Sequence, residues 1–204
     1  IVRGLEGHSS QPDRGVNAVM IAADLIHHLN GVAKGFRTGP LDARFDPPWS
    51  TMQTNMIQGG SNSNILAGHC SFISEMRMLP GISDQDVVDA YRKFAFETVL
   101  PGMKAVSDQA AIRIETLARI PGLRPDPENF AETLTMALVG ANHAGAVAFG
   151  TEAGSFQELG IPTIICGPGS IKQAHTANEF IKLAQVEKCV TFMHKLADRM
   201  AAGL

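Results

Sequence analysis

The sequence predicts an α+β chain: a ferredoxin-like β-α-β-β-α-β domain over residues 1–117, followed at 118–204 by the C-terminal part of an α/β domain. Three observations lead there. Over the first region, stretches of two-residue apolar period and stretches of 3.6-residue period follow one another as strand, helix, strand, strand, helix, strand, the split β-α-β order. A Pro-rich stretch, "PGLRPDPEN" at 121–129, then interrupts the pattern. Beyond it only two short strands alternate with helices. Two strands do not make a stable sheet, so this region reads as the tail of a larger α/β domain.

The elements follow in order. "IVRGLEG" alternates weakly and ends in glycine, as a strand does. After "HSSQPDRG", the residues Val16, Val19, Met20, Ala23, Ile26 and Leu29 recur at helical spacing, and Asn30-Gly31 is expected to stop that helix. Residues 31–48, rich in Gly and Pro, read as a loop. "STMQTNMIQGG" and "CSFISEMRMLPG" read as strands joined by the turn "SNSN", with Phe72, Ser74, Met76 and Met78 on one face of the second. Ser83 caps the next helix, whose apolar face is Val87, Val88, Tyr91, Phe94 and Ala95. A strand from about Ala111 to Ile120 closes the domain. In the second region Asp126 is expected to cap a helix with Pro127 at its first position. Gly145 to Phe149 and Pro162 to Cys166 are the two short strands. "TEAGSFQELG" is a helix closed by Gly160, and Val186 to Ala202 is an amphipathic helix.

Composition narrows the function classes. The chain has 204 residues, 45% hydrophobic and 18% charged, with a formal net charge of -3. No basic stripe or tail occurs, so nucleic acid and anionic membrane are not expected partners. No apolar run reaches the length of a membrane span. Cys70, Cys166 and Cys189 are odd in number and lack C-x-x-C spacing, which points to a reducing cytoplasm. No signal peptide is evident. The first residues already read as the end of a strand, so upstream sequence is expected.

The residues that could carry chemistry are few. His8 lies in a Gly-His-Ser-Ser turn, where it either donates to a ligand or caps the turn. Asn64 ends the "SNSN" turn, and Arg77 follows thirteen residues on. An Arg fork suits a substrate carboxylate, although pairing with Glu75 is the plainer reading. Thr151 and Glu152 open a helix, whose N–H groups offer an anion site; capping by Thr151 is the alternative. Gly167 and Gly169 flank Pro168 and let backbone approach a ligand. His175, four residues before Glu179, looks like a metal ligand, yet a catalytic zinc needs at least three. His27 and His28 are adjacent and cannot form an i, i+4 pair. The cysteines read as small core residues.

Three stretches carry a family resemblance: "GLEGHSSQPDRGVNAV", "GGSNSNILAGHCSFISEMRMLPG" and "FGTEAGSFQELGIPTIICGPGSIKQAHTANEF". They resemble the acetylornithine deacetylase family, the dinuclear zinc amidohydrolases that include succinyl-diaminopimelate desuccinylase, aminoacylase and the glutamate carboxypeptidases. The resemblance covers nearly the whole chain, and it implies the following. Residues 1–117 are a dimerisation domain that forms a homodimer. Residues 118–204 are the last portion of the α/β zinc-peptidase catalytic domain. His175 matches the last metal ligand, and the other ligands precede this sequence. His8 reaches into the partner's active site and holds the scissile carbonyl. Asn64 and Arg77 face the neighbouring site, and the loop at Thr151 and Glu152 lines the substrate pocket. The implied reaction is hydrolysis of N-acetylornithine to ornithine and acetate, in arginine synthesis in the cytoplasm, by water activated between two zinc ions, with cobalt as an alternative metal. This chain alone is expected to be inactive and to hold no zinc pair. A desuccinylase, aminoacylase or dipeptidase of the same family is the nearest alternative. A bare dimerisation module is the more distant one. Two positions depart from the family pattern: Ala67 stands where many relatives have Pro, and Asn178 where many have Asp.

Overall fold

Four strands form one antiparallel sheet: β1 (Val2–Arg3), β2 (Thr51–Gly59), β3 (His69–Arg77) and β4 (Ala111–Ile112), in the spatial order β2-β3-β1-β4. This is the ferredoxin-like arrangement. The computed structural model describes residues 1–147 and 149–203, and the chain divides into two units, Ile1–Arg119 and Ile120–Leu204.

In the first unit, Val2, Cys70 and Ile112 lie opposite one another on β1, β3 and β4 and point toward the helices. The helix α1 (Ala18–Gly35) buries Ala18, Ala22, Leu25 and Leu29 against them. This stripe is not the one the apolar spacing indicated: Met20 and Ala23 face out. The Asn17 side chain starts α1 by accepting from Val19 N at 3.1 Å and Met20 N at 3.4 Å. The helix also passes through Asn30-Gly31 instead of ending there. A Cβ at Gly31 would meet nothing within 4 Å, so glycine here is only a propensity cost of about 1 kcal/mol. The chain turns away at Gly39, whose φ of +128° suits glycine.

Ser83 caps α2 (Asp84–Lys93) as expected, accepting from Asp86 N at 3.1 Å. A π-helical stretch, Phe94–Val99, joins α2 to α3 (Leu100–Val106), and Leu100 N donates to Ala95 O. The wider turn lets the helix run past Pro101, which has no N–H to give. Tyr91, Phe94, Ala95 and Met103 complete the core. Between β2 and β3 the register slips at Asn55, so Met52 faces the helices while Met56 pairs with Ile73 on the open face. β4 stops well short of Ile120. Arg113 N still donates to Ile1 O at 2.8 Å, but residues 114–119 have no strand beside them.

The second unit contains α4 (Phe130–Val139), α5 (Ala153–Glu158) and α6 (Leu183–Ala201). Neither expected strand forms among the described residues: 145–147, 149 and 162–166 are irregular, and Ala148 lies outside them. A strand needs a ladder partner for its N–H and C=O groups, and two short segments do not provide a sheet. The apolar side chains consequently stay open, with Leu159 at 77% and Leu183 at 78% exposure.

Asn129, not Asp126, caps α4. Its side chain accepts from Ala131 N at 3.0 Å and Glu132 N at 3.4 Å, and its Nδ2 donates to Thr163 O at 2.7 Å. Asp126 forms a local turn instead, accepting from Glu128 N. Asn129→Ala is expected to cost α4 about 1–2 kcal/mol. It should raise amide hydrogen exchange at Ala131 and Glu132 about tenfold, while the amides of α1 are unchanged.

Candidate functional site

Close backbone packing places the His8 turn. Residues 4–7 run between residues 15–18 and 66–68: Gly4 N donates to Gly68 O, Leu5 and Val16 exchange both backbone bonds, and Leu66 N donates to Gly7 O. A Cβ on Gly4 would lie 2.0 Å from Val16 O, so only glycine fits this crossing. The chain emerges with His8 bridged to Ile65 and Ser9 N bonded to Asn64 O at 3.0 Å. His8 and Asn64 are thus neighbours at one end of the sheet.

The ring of His8 is oriented. Its Nδ1 accepts from Ser10 N at 3.2 Å and lies 2.7 Å from Ser10 Oγ. A nitrogen that accepts from a backbone N–H is unprotonated in the neutral ring, so the proton sits on Nε2. Among the described residues Nε2 has no partner. One nitrogen thus caps the turn, and the other carries a proton with no partner among the described residues. The second half of this could not be read from "GHSS", although Ser10 supplied the signal.

Arg77 is not part of this pair. It ends β3 opposite Thr51, while the Asn64 turn precedes the other end. The nine-residue length of β3 separates the two by roughly 25 Å at about 3.4 Å per residue. Its Nε lies 3.7 Å from Glu75 Oε1, with both side chains exposed, a contact worth little.

In the second unit, Thr151 Oγ1 accepts from Ala153 N at 3.2 Å, the expected cap of α5, and Glu152 beside it is exposed. Gly169 has φ +94° and packs near Ile181; nothing crowds Gly167. His175 has φ +58° and is the non-glycine residue of left-handed backbone among those described. Its N–H donates to Glu179 Oε2 at 3.0 Å. The carboxylate four residues on therefore holds the histidine's backbone, a structural role for Glu179. Such backbone is uncommon outside glycine and occurs often at functional positions. Nothing in the sequence signalled it. No group of three or more His, Cys, Asp or Glu among the described residues could hold a metal ion, so the residues present do not by themselves fit a metal site.

The peptidase dimerisation domain family, M20, matches residues 1–102. The chain belongs to the M20 peptidase dimerisation-domain family. His8, Asn64 and Arg77 fall inside the matched region, and Thr151 to His175 lie beyond it. The chain is 31% identical over 202 residues to an acetylornithine deacetylase of Myxococcus xanthus, covering 99% of this chain and 52% of that protein. It is 33% identical to one of Proteus mirabilis over 97% of this chain and 49% of that protein. The chain thus spans about half the length of these relatives. Among solved structures, an aminopeptidase PepT of Bacillus cereus shares the fold with a TM-score of 0.64 at 24% identity, over 94% of this chain and 48% of that one. A tripeptidase of Staphylococcus aureus gives the same TM-score at 20% identity, over the same shares. Among the described residues no helix is long and apolar enough to cross a membrane.

Proposed function

We propose that these residues belong to a cytoplasmic, zinc-dependent amidohydrolase that removes the acetyl group of N-acetylornithine, and that they form its dimerisation domain and the end of its catalytic domain. The observation that carries this reading is the free Nε2–H of His8 beside Asn64, in a chain related to acetylornithine deacetylases along almost its whole length. A fixed N–H donor is what a developing oxyanion needs. The unpacked apolar surface of the second unit supports its being one part of a larger layered domain.

Zinc would supply the activated water. We assign His175 to it as the one ligand from this chain; the remaining ligands and the general base would come from sequence outside these residues. The residues present derive the rest. His8 donates to the carbonyl oxygen as it gains charge. Asn64 and Arg77 orient the substrate, with Arg77 on its carboxylate. The loop at Thr151 and Glu152 lines the pocket, and backbone at Gly167 and Gly169 approaches the substrate.

The distance between Arg77 and Asn64 bears on how the subunits share the work. β2 is an edge strand, and a two-fold axis through its middle would pair it antiparallel with its copy. The Thr51 end of one protomer, with Arg77, then meets the Gly59 end of the other, with His8 and Asn64 of the partner subunit. Arg77 of one protomer would then lie across the interface from His8 and Asn64 of the other, whereas the resemblance has Asn64 and Arg77 of one chain face the same neighbouring site. The full-length protein is expected to hydrolyse N-acetylornithine faster than N-succinyl-diaminopimelate or dipeptides, and to lose activity on chelation and regain it with zinc. Faster hydrolysis of either competitor would move the reading to another branch of the family.

A further inference from the structure

A cleft of about 300 Å³ adjoins the His8–Asn64 turn. Glu6 lines it from the continuation of β1, Gln58 from the end of β2, Ser61 from the turn after it, and Gly68 and His69 from the entry to β3. Ser61 belongs to the same turn as Asn64, and Glu6 precedes His8 by two residues in the same chain segment. The cleft is therefore built on the two pieces of backbone that carry the proposed site.

The exposed Glu6 side chain lines the cleft and lies against Gly68. A Cβ at Gly68 would come within 2.7 Å of Glu6 Cγ and 3.2 Å of its Oε1, so glycine leaves the room in which that carboxylate lies. Among the described residues Glu6 has no hydrogen bond and no ion pair, and it is the one carboxylate lining the cleft. Gln58 and Ser61 add neutral hydrogen-bonding groups. The volume is at the low end for ligand pockets and suits a short side chain, not a peptide.

We infer that this cleft is the side-chain subsite of the deacylase and that Glu6 makes it select substrates bearing an alkylammonium group. The inference rests on the proposed deacylase reading. An unpaired carboxylate accepts charge-assisted hydrogen bonds from an ammonium, and a site built for a polar group discriminates against an analogue that lacks it. Glu6 is a specificity-determining residue in this account and takes no part in bond cleavage.

The test compares N-acetylornithine with N-acetylnorvaline, the same carbon chain without the amine, using the full-length protein and Glu6→Gln. Wild type should prefer the amine substrate. The variant should lose about tenfold of that preference in kcat/KM, through KM, with the neutral substrate unaffected. Gly68→Ala, which displaces the Glu6 side chain, should shift the ratio in the same direction. The ratio is internal, so partial misfolding lowers both rates and leaves it unchanged. An unchanged ratio in Glu6→Gln, or no amine preference in wild type, overturns this inference and leaves the deacylase reading standing. Hydrolysis of neither substrate overturns both.

Discussion

His8→Ala in the full-length protein is expected to lower kcat about a hundredfold while KM barely moves. Ser10 N–H points at Nδ1, which leaves the neutral ring's proton on Nε2, directed away from the turn. Losing one donor aimed at a developing oxyanion typically costs about 3 kcal/mol, and a loss confined to the transition state shows in kcat. A histidine that served only as a turn cap would behave differently. Its removal would lower the melting temperature and leave kcat intact. Ser10→Ala separates the two roles further. It removes the hydroxyl at 2.7 Å but not the backbone N–H, so it should cost only a few-fold in kcat.

Gly4→Ala is expected to destabilise the first unit by roughly 3 kcal/mol or more, enough to unfold many domains of marginal stability. The added Cβ would lie 2.0 Å from Val16 O and 2.9 Å from Ala67 O. Both are backbone atoms already held by hydrogen bonds from Leu5 N and Ala18 N, so neither can move without breaking the crossing. Gly31→Ala is the matched control. It lies inside α1 with open space around its Cβ position and should stabilise by about 0.5–1 kcal/mol. Urea titration followed by circular dichroism measures both. Equal stability of the two variants would mean that the three backbone segments do not approach as closely as described.

Much of the first unit was legible because its signals are local and strong. Alternation in "CSFISEMR", the Ser83 cap and the apolar face around Tyr91 follow from periodicity and capping alone, and the order of elements then selected the topology. What failed was local punctuation that tertiary structure overrides. Asn30-Gly31 did not stop α1, because buried Leu25 and Leu29 hold that end of the helix against the sheet. Asp126 lost the cap to Asn129, whose side-chain NH2 also donates to Thr163 O, a contact 34 residues away that no local pattern encodes. The strands expected at 145–149 and 162–166 rest on apolar runs. Such runs report burial, and without neighbouring strands to pair with, the described residues among them, 145–147, 149 and 162–166, stay irregular. At the candidate site, residue types and spacing left His8, Asn64 and His175 open between functional and structural roles, and the family resemblance singled them out. The tautomer of His8, the separation of Arg77 from Asn64 and the left-handed backbone of His175 are properties of geometry and needed the structure.

His8 is proposed to work in the active site of the other subunit. Mixed dimers test it most directly. Full-length His8→Ala and His175→Ala subunits, each nearly inactive as a homodimer, are combined and the heterodimer is isolated with two different affinity tags. In that heterodimer one site has an intact His175 and receives an intact His8 from its partner, and the other site lacks both. Activity should return to about half that of wild type per dimer. Heterodimers that demonstrably form yet recover no activity would contradict the claim and return His8 to the role of a turn cap.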